Sequence, residues 1–113
     1  MLYAVIGLLL GVILGVFLPV TYPAAFTLYI SVAILASLDS VFGGLRAHLE
    51  NKFNTEIFVT GFFSNAVLAA FLAFIGDRLG VPLYYAAIFA FGTRLFQNFA
   101  IIRRHLIERF QAH

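Results

Sequence analysis

Cysteine is absent from the chain. That excludes a disulfide framework, a thiolate metal site and a cysteine nucleophile. Tryptophan is absent as well, and charge is scarce. Asp, Glu, Lys and Arg make up 11% of the 113 residues, against about 25% in soluble domains. The few basic residues do not form a nucleic-acid footprint. No loop has the glycine pattern that cradles phosphates; "IGDRLG" and "FGTRLF" both fail it. No serine stands in a nucleophile motif, and His48, His105 and His113 lack the spacing of metal ligands. These absences point away from an enzyme and leave no metal, cofactor or nucleic acid to expect.

What the chain has is apolar surface. Hydrophobic residues reach 63%, fourteen of them Phe, where soluble domains average about 45–50%. A domain this small has too little interior to hide so much, whereas a bilayer accommodates it. The opening run "MLYAVIGLLLGVILGVFLPV" has no Lys or Arg ahead of it and is followed by more of the same, so it reads as a first span rather than a signal peptide.

A span needs about 20 residues. The runs suggest spans over about 2–18, 24–45, 57–76 and 83–102. Pro19 and Pro23 bracket the first turn, "RAHLENKFNTE" is too polar for hydrocarbon and reads as a loop, and Gly80 and Pro82 break the chain after the third run. The expected fold is all-α: one polytopic membrane domain over 1–113, with four transmembrane helices arranged as two hairpins. Because the last run contains Arg94, Gln97 and Asn98, three spans plus a re-entrant or interfacial last helix is the alternative.

Orientation follows the basic residues of the short loops. Arg46, Lys52, Arg103, Arg104 and Arg109 fall on one side and Arg78 alone on the other. Both termini are therefore expected in the cytoplasm, with Tyr22, Tyr84 and Tyr85 at the outer interface. The cytoplasmic cations also suit the phosphates of anionic lipids.

Two segments resemble each other, "LRAHLENKF" (45–53) and "IRRHLIERF" (102–110). A duplicated hairpin with a two-fold axis along the membrane normal would produce this; so would the general likeness of stop-transfer ends. Leu49 and Phe53, like Leu106 and Phe110, are four apart. That spacing suits a short amphipathic turn on the cytoplasmic leaflet or, for the tail, a simple continuation of the helix.

Asp39 lies seven residues before Arg46, about 10 Å inside the interface. Arg94 lies at a similar depth before Arg103, and Asn65, Gln97 and Asn98 fall near that level. An ion at a helix centre costs about 2.5–3.5 kcal/mol on translocon scales, so Asp39 and Arg94 are expected to pair, with Asn65 and Gln97 filling the remaining donors and acceptors. Such a layer serves either as a structural clamp between helices or as part of a transport path. Gly7, Gly11 and Gly15 repeat every four residues on the first span. They form a small-residue face for packing on a neighbouring span or on another copy. Gly43 and Gly44 form a second such patch beneath Asp39.

The segments "GGLRAHL" and "FGTRLFQNFAIIRR", within a likeness running along nearly the whole chain, resemble the small basic protein family of bacterial membrane proteins. That family has no assigned activity, and its genes commonly lie among cell-division and envelope genes. The resemblance implies a role near that machinery. The expected function is a non-enzymatic interaction or assembly subunit of the bacterial cytoplasmic membrane, working as a homo-oligomer or with a membrane-protein partner. The alternative is a small transporter or channel subunit that uses the Asp39–Arg94 layer.

Overall fold

Four helices carry the chain in a computed structural model that describes residues 1–18 and 23–111. Pro19, Tyr22 and His113 lie outside the described residues. Helix α1 covers Leu2–Phe17. After one 3-10 turn at Ala24–Phe26 come α2 (Thr27–Leu49), α3 (Thr55–Leu79) and α4 (Tyr84–Gln111). No strand occurs among the described residues, so the fold is all-α. By length and composition, α2, α3 and α4 are long and apolar enough to cross a membrane. Helix α1 is apolar but shorter; its 16 residues rise about 24 Å, less than the roughly 30 Å of a hydrocarbon core.

The ends of the helices explain where the structure departs from the sequence reading. Helix α2 continues through Arg46 to Leu49. It stops because Asn51 turns left-handed, at φ 61°, a conformation asparagine tolerates. The Asn51 and Lys52 N–H groups then return to His48 O (3.1 Å) and Ala47 O (2.8 Å), closing the helix in the manner of a Schellman cap. Asn54 opens α3, its side-chain oxygen accepting from the Ile57 N–H at 3.1 Å. The loop expected over 46–56 thus shrinks to 50–54.

At the other end of α3, Gly80 adopts φ 72° and the Val81 N–H returns to Gly76 O at 2.9 Å. Gly76 is buried, and a Cβ there would run into the Val81 carbonyl oxygen. Its lack of a side chain lets the chain fold back toward α4.

Helix α4 is unbroken for 28 residues, so the last segment does not re-enter. The tail "IRRHLIERF" continues α4 rather than forming a separate interfacial turn, while its counterpart at 45–53 divides between the end of α2 and the loop.

Helix α2 is central, with α3 along one side and α4 along the other; α3 and α4 touch each other little. The core is Val32 and Ala36 of α2, Ala69 and Ala73 of α3, and Ala87 and Phe91 of α4. Small residues at four of these positions let the backbones approach closely, which is how helices associate in lipid. Helix α1 buries no residue. It stands off α2 across an apolar groove of about 580 Å³ lined by Gly7, Gly11, Gly15, Ala33, Ser37 and others. Among the described residues nothing lies within 4 Å of where a Cβ would be on any of the three glycines, so the stripe makes no close packing with a neighbouring span there. Nor is the packing two-fold: α3 lies against α2, but α1, its counterpart in the other hairpin, makes no such contact with α4. The outer faces carry large exposed apolar side chains, among them Phe63, Val67, Phe71, Phe89 and Phe96. So extensive an apolar surface is not one a monomer keeps in water.

Candidate functional site

Val32, Ala36 and Asp39 fall on one face of α2, at i, i+4 and i+7. The first two build the core. The third therefore enters the same interior, one turn nearer the Glu50 end, and is fully buried, with 0% exposure. On α4 the inward stripe runs Ala87, Phe91, Asn98 and Ile102, and Arg94 sits between Phe91 and Asn98 on it. The structure brings Asp39 and Arg94 together, with Nη2 of Arg94 3.5 Å from Oδ2 of Asp39. The two ends of the contact differ sharply, because the Arg94 side chain is 55% exposed.

Among the described residues neither Asp39 oxygen has a hydrogen-bond partner, so the contact with Arg94 is one of charge. The amides expected to complete it do other things. The Asn65 Nδ2 points to Ser40 Oγ at 3.5 Å, at the limit of a hydrogen bond. Asn98 is buried and its Oδ1 accepts from Arg46 Nη1 at 3.2 Å. Gln97 is exposed. The expected layer is therefore two units, Asp39–Arg94 and Arg46–Asn98.

The second unit was hidden from sequence reading, which placed Arg46 among the lipid-facing cations. In the structure Arg46 is half-buried. Its Nε donates to Glu50 Oε1 at 3.1 Å, and the same carboxylate lies 3.7 Å from His105 Nε2 on α4. The Arg46 hydrogen bond holds the Glu50 carboxyl below the usual carboxylate range. The signal for this pair was the i, i+4 spacing of Arg46 and Glu50; nothing in the sequence singled out Asn98 or His105 as their partners. Lys52, Arg103, Arg104 and Arg109 are exposed.

Gly44 is buried beneath this region, and a Cβ there would lie 2.9 Å from the Phe58 ring. It is a close crossing of α2 with α3. Gly43 is roomier; its Cβ would meet Asn98 Nδ2 at 3.5 Å, an ordinary contact.

Two clefts adjoin here. One, of about 240 Å³, opens between α2 and α3; Asp39, Ser40, Asn65, Lys52, Phe58 and Arg94 are on its walls. The other, of about 340 Å³, lies between α2 and α4 and is lined by Arg46, Glu50, Lys52, Arg94, Gln97 and Asn98 with Gly43 and Ala47. Arg94 and Lys52 line both. Chemically the site holds the shielded Asp39 carboxylate, the Glu50 carboxylate engaged by Arg46, and several cationic and amide donors. Among the described residues no three His, Asp or Glu side chains gather as a metal site.

Comparisons with known proteins match residues 22–107 to a family described as "Protein of unknown function (DUF1290)". The chain is 50% identical over 105 residues to the "Small basic protein" of Bacillus subtilis, covering 93% of this chain and 87% of that one. It is 46% identical over 80 residues to uncharacterized proteins of Mycobacterium bovis and Mycobacterium tuberculosis, covering 69% of this chain and 66% of theirs. No solved structure matches. With a family match spanning both clefts and a half-identical relative along most of its length, the chain belongs to the DUF1290 family, whose function is unknown.

Proposed function

We propose that the protein is a multi-pass, non-enzymatic assembly subunit of the bacterial cytoplasmic membrane, with both termini in the cytoplasm. The observation that carries this reading is the unfilled groove between α1 and α2. A helix whose glycine face has nothing within 4 Å, opposite Ala33 and Ser37, is half of a small-residue interface. A transmembrane helix of a partner, or of a second copy, would complete it. The short connections at 50–54 and 80–83 leave recognition to the spans. Work alongside the division or envelope machinery is the setting that the family resemblance supports.

The test is affinity purification of tagged protein from its own membranes after cross-linking, with wild type beside Gly11→Ile. Wild type is expected to bring down a membrane partner or a second copy, and Gly11→Ile to lose it while keeping its melting temperature. An unchanged complex in the variant would remove the groove from the account.

The Asp39-lined cleft favours one competing reading, transport. Solute or proton flux in vesicles reconstituted with wild type and absent with Asp39→Asn would move that reading ahead.

A further inference from the structure

The cleft between α2 and α4 has an electrostatic character that the helix-packing role does not use. Arg46, Lys52 and Arg94 all line it, against one lining carboxylate, Glu50. That carboxylate is already engaged by Arg46 Nε at 3.1 Å and approached by His105 at 3.7 Å. Gln97 and Asn98 add amide N–H donors.

Like charges facing a common space repel one another unless an anion lies between them. Arg94 has donors to spare, since its one ionic contact, to Asp39, involves no hydrogen bond. Arg46 commits Nε and Nη1 and retains Nη2 among its five N–H donors.

The donor set selects the anion. Guanidinium forks match planar or tetrahedral oxyanions in bidentate fashion. About 340 Å³ is roomy for a bare carboxylate. A phosphate ester presents two or three non-bridging oxygens to the donors and brings a body to fill the rest. Position argues the same way. The cleft reaches from Arg94 in mid-α4 to Lys52 in the 50–54 loop, the level at which headgroup phosphates meet a helix end. Arg103, Arg104 and Arg109 are equally cationic but are not among its lining residues.

We propose that this cleft binds a phosphate group, carried by an anionic lipid or by a soluble phosphate ester, through Arg46, Lys52, Arg94, Gln97 and Asn98.

The experiment measures binding of fluorescent phosphatidylglycerol and phosphatidylcholine to the full chain in detergent. Arg94→Ala is a poor probe, because it strips Asp39 of its counter-ion and threatens the fold. Lys52→Ala/Gln97→Ala alters two exposed side chains, and Arg109→Ala removes a cation outside the cleft. Wild type is expected to prefer phosphatidylglycerol. The cleft variant should lose about fivefold or more of that preference at an unchanged melting temperature, and Arg109→Ala should keep it. Displacement of the lipid by inorganic phosphate or glycerol 3-phosphate identifies a soluble ester as the source; failure of both to displace it identifies the lipid. The proposal is overturned if neither phosphatidylglycerol nor inorganic phosphate binds above the phosphatidylcholine background. It is equally overturned if the cleft variant keeps its preference, or if Arg109→Ala costs as much as the cleft variant does. None of these outcomes depends on a protein partner in the α1 groove.

Discussion

Arg46 Nη1 donates to the buried Asn98 Oδ1 at 3.2 Å, across the contact between α2 and α4. The link joins the same two helices as the Asp39–Arg94 contact, and it spans a chain separation of 52 residues. A double-mutant cycle with Arg46→Ala and Asn98→Ala is expected to give a coupling of about 0.5–1.5 kcal/mol, read from urea or thermal unfolding in detergent followed by circular dichroism. Additive single variants would mean that the hydrogen bond contributes nothing beyond packing.

Asp39 and Arg94 are unequal partners, and their variants should be unequal too. Asp39→Asn removes a buried charge that accepts no hydrogen bond and leaves a half-exposed guanidinium that water or headgroups can solvate. Arg94→Ala leaves a fully buried carboxylate without a counter-ion. Loss of one partner from a buried pair is the costly event, so Arg94→Ala should destabilise by about 1–3 kcal/mol more than Asp39→Asn. Equal melting temperatures for the two variants would contradict the asymmetry.

The glycines separate into those that need their missing side chain and those that do not. Gly76→Ala places a methyl against the Val81 carbonyl oxygen and 2.9 Å from Leu83 N, where backbone cannot yield, and should cost about 1–3 kcal/mol. Gly43→Ala meets only an ordinary contact and, inside α2, should be neutral to about 1 kcal/mol more stable through helix propensity. In the isolated chain Gly11→Ala has open space around it and should stabilise α1 by up to about 1 kcal/mol through helix propensity. Melting temperatures of the three variants side by side give the order.

Glu50 supplies a pH dependence with a definite sign. Its carboxyl is held below its ordinary value by the Arg46 hydrogen bond. A group whose folded pKa is depressed stabilises the fold above its unfolded pKa, and that stabilisation is lost as pH falls through the folded one. Wild type should therefore lose melting temperature on acidification below the usual carboxylate range. Glu50→Gln should lose less over the same interval; an identical pH profile would show that other acids govern it.

The absence of cysteine makes topology directly measurable. Thr55→Cys and Val81→Cys lie at opposite ends of α3 and are both exposed. In intact cells a membrane-impermeant thiol reagent is expected to label Val81→Cys and to reach Thr55→Cys only after lysis. The reverse pattern would invert the orientation.

The four helices and the break at Gly80 and Pro82 were readable from the sequence because apolar length and breaker residues set them locally, whereas the end of α2 was not, because its polar last turn looks like loop. The common level of Asp39 and Arg94 was readable because depth is only a count along a helix. Rotation about the helix axis is different. It is decided by which small residues meet, and it turned Asn98 inward to Arg46 and left Gln97 outside. The bonds of Arg46 to Asn98 and Glu50 were not legible, because a cation at the end of an apolar run looks the same whether lipid or a neighbouring helix receives it. The spacing of Gly7, Gly11 and Gly15 was legible, but among the described residues nothing lies within 4 Å of where their Cβ atoms would be, so what meets the stripe was not.

Helices α3 and α4 are joined by a tight turn, yet each leans on α2 more than on the other. They are a hairpin in connectivity and not in packing. The scaffold that aligns them is the helix made before either. Synthesis therefore makes the docking surface on α2 before either of the helices that use it. Splitting the chain within the 80–83 turn would break the connection without removing the surface on which both pieces dock.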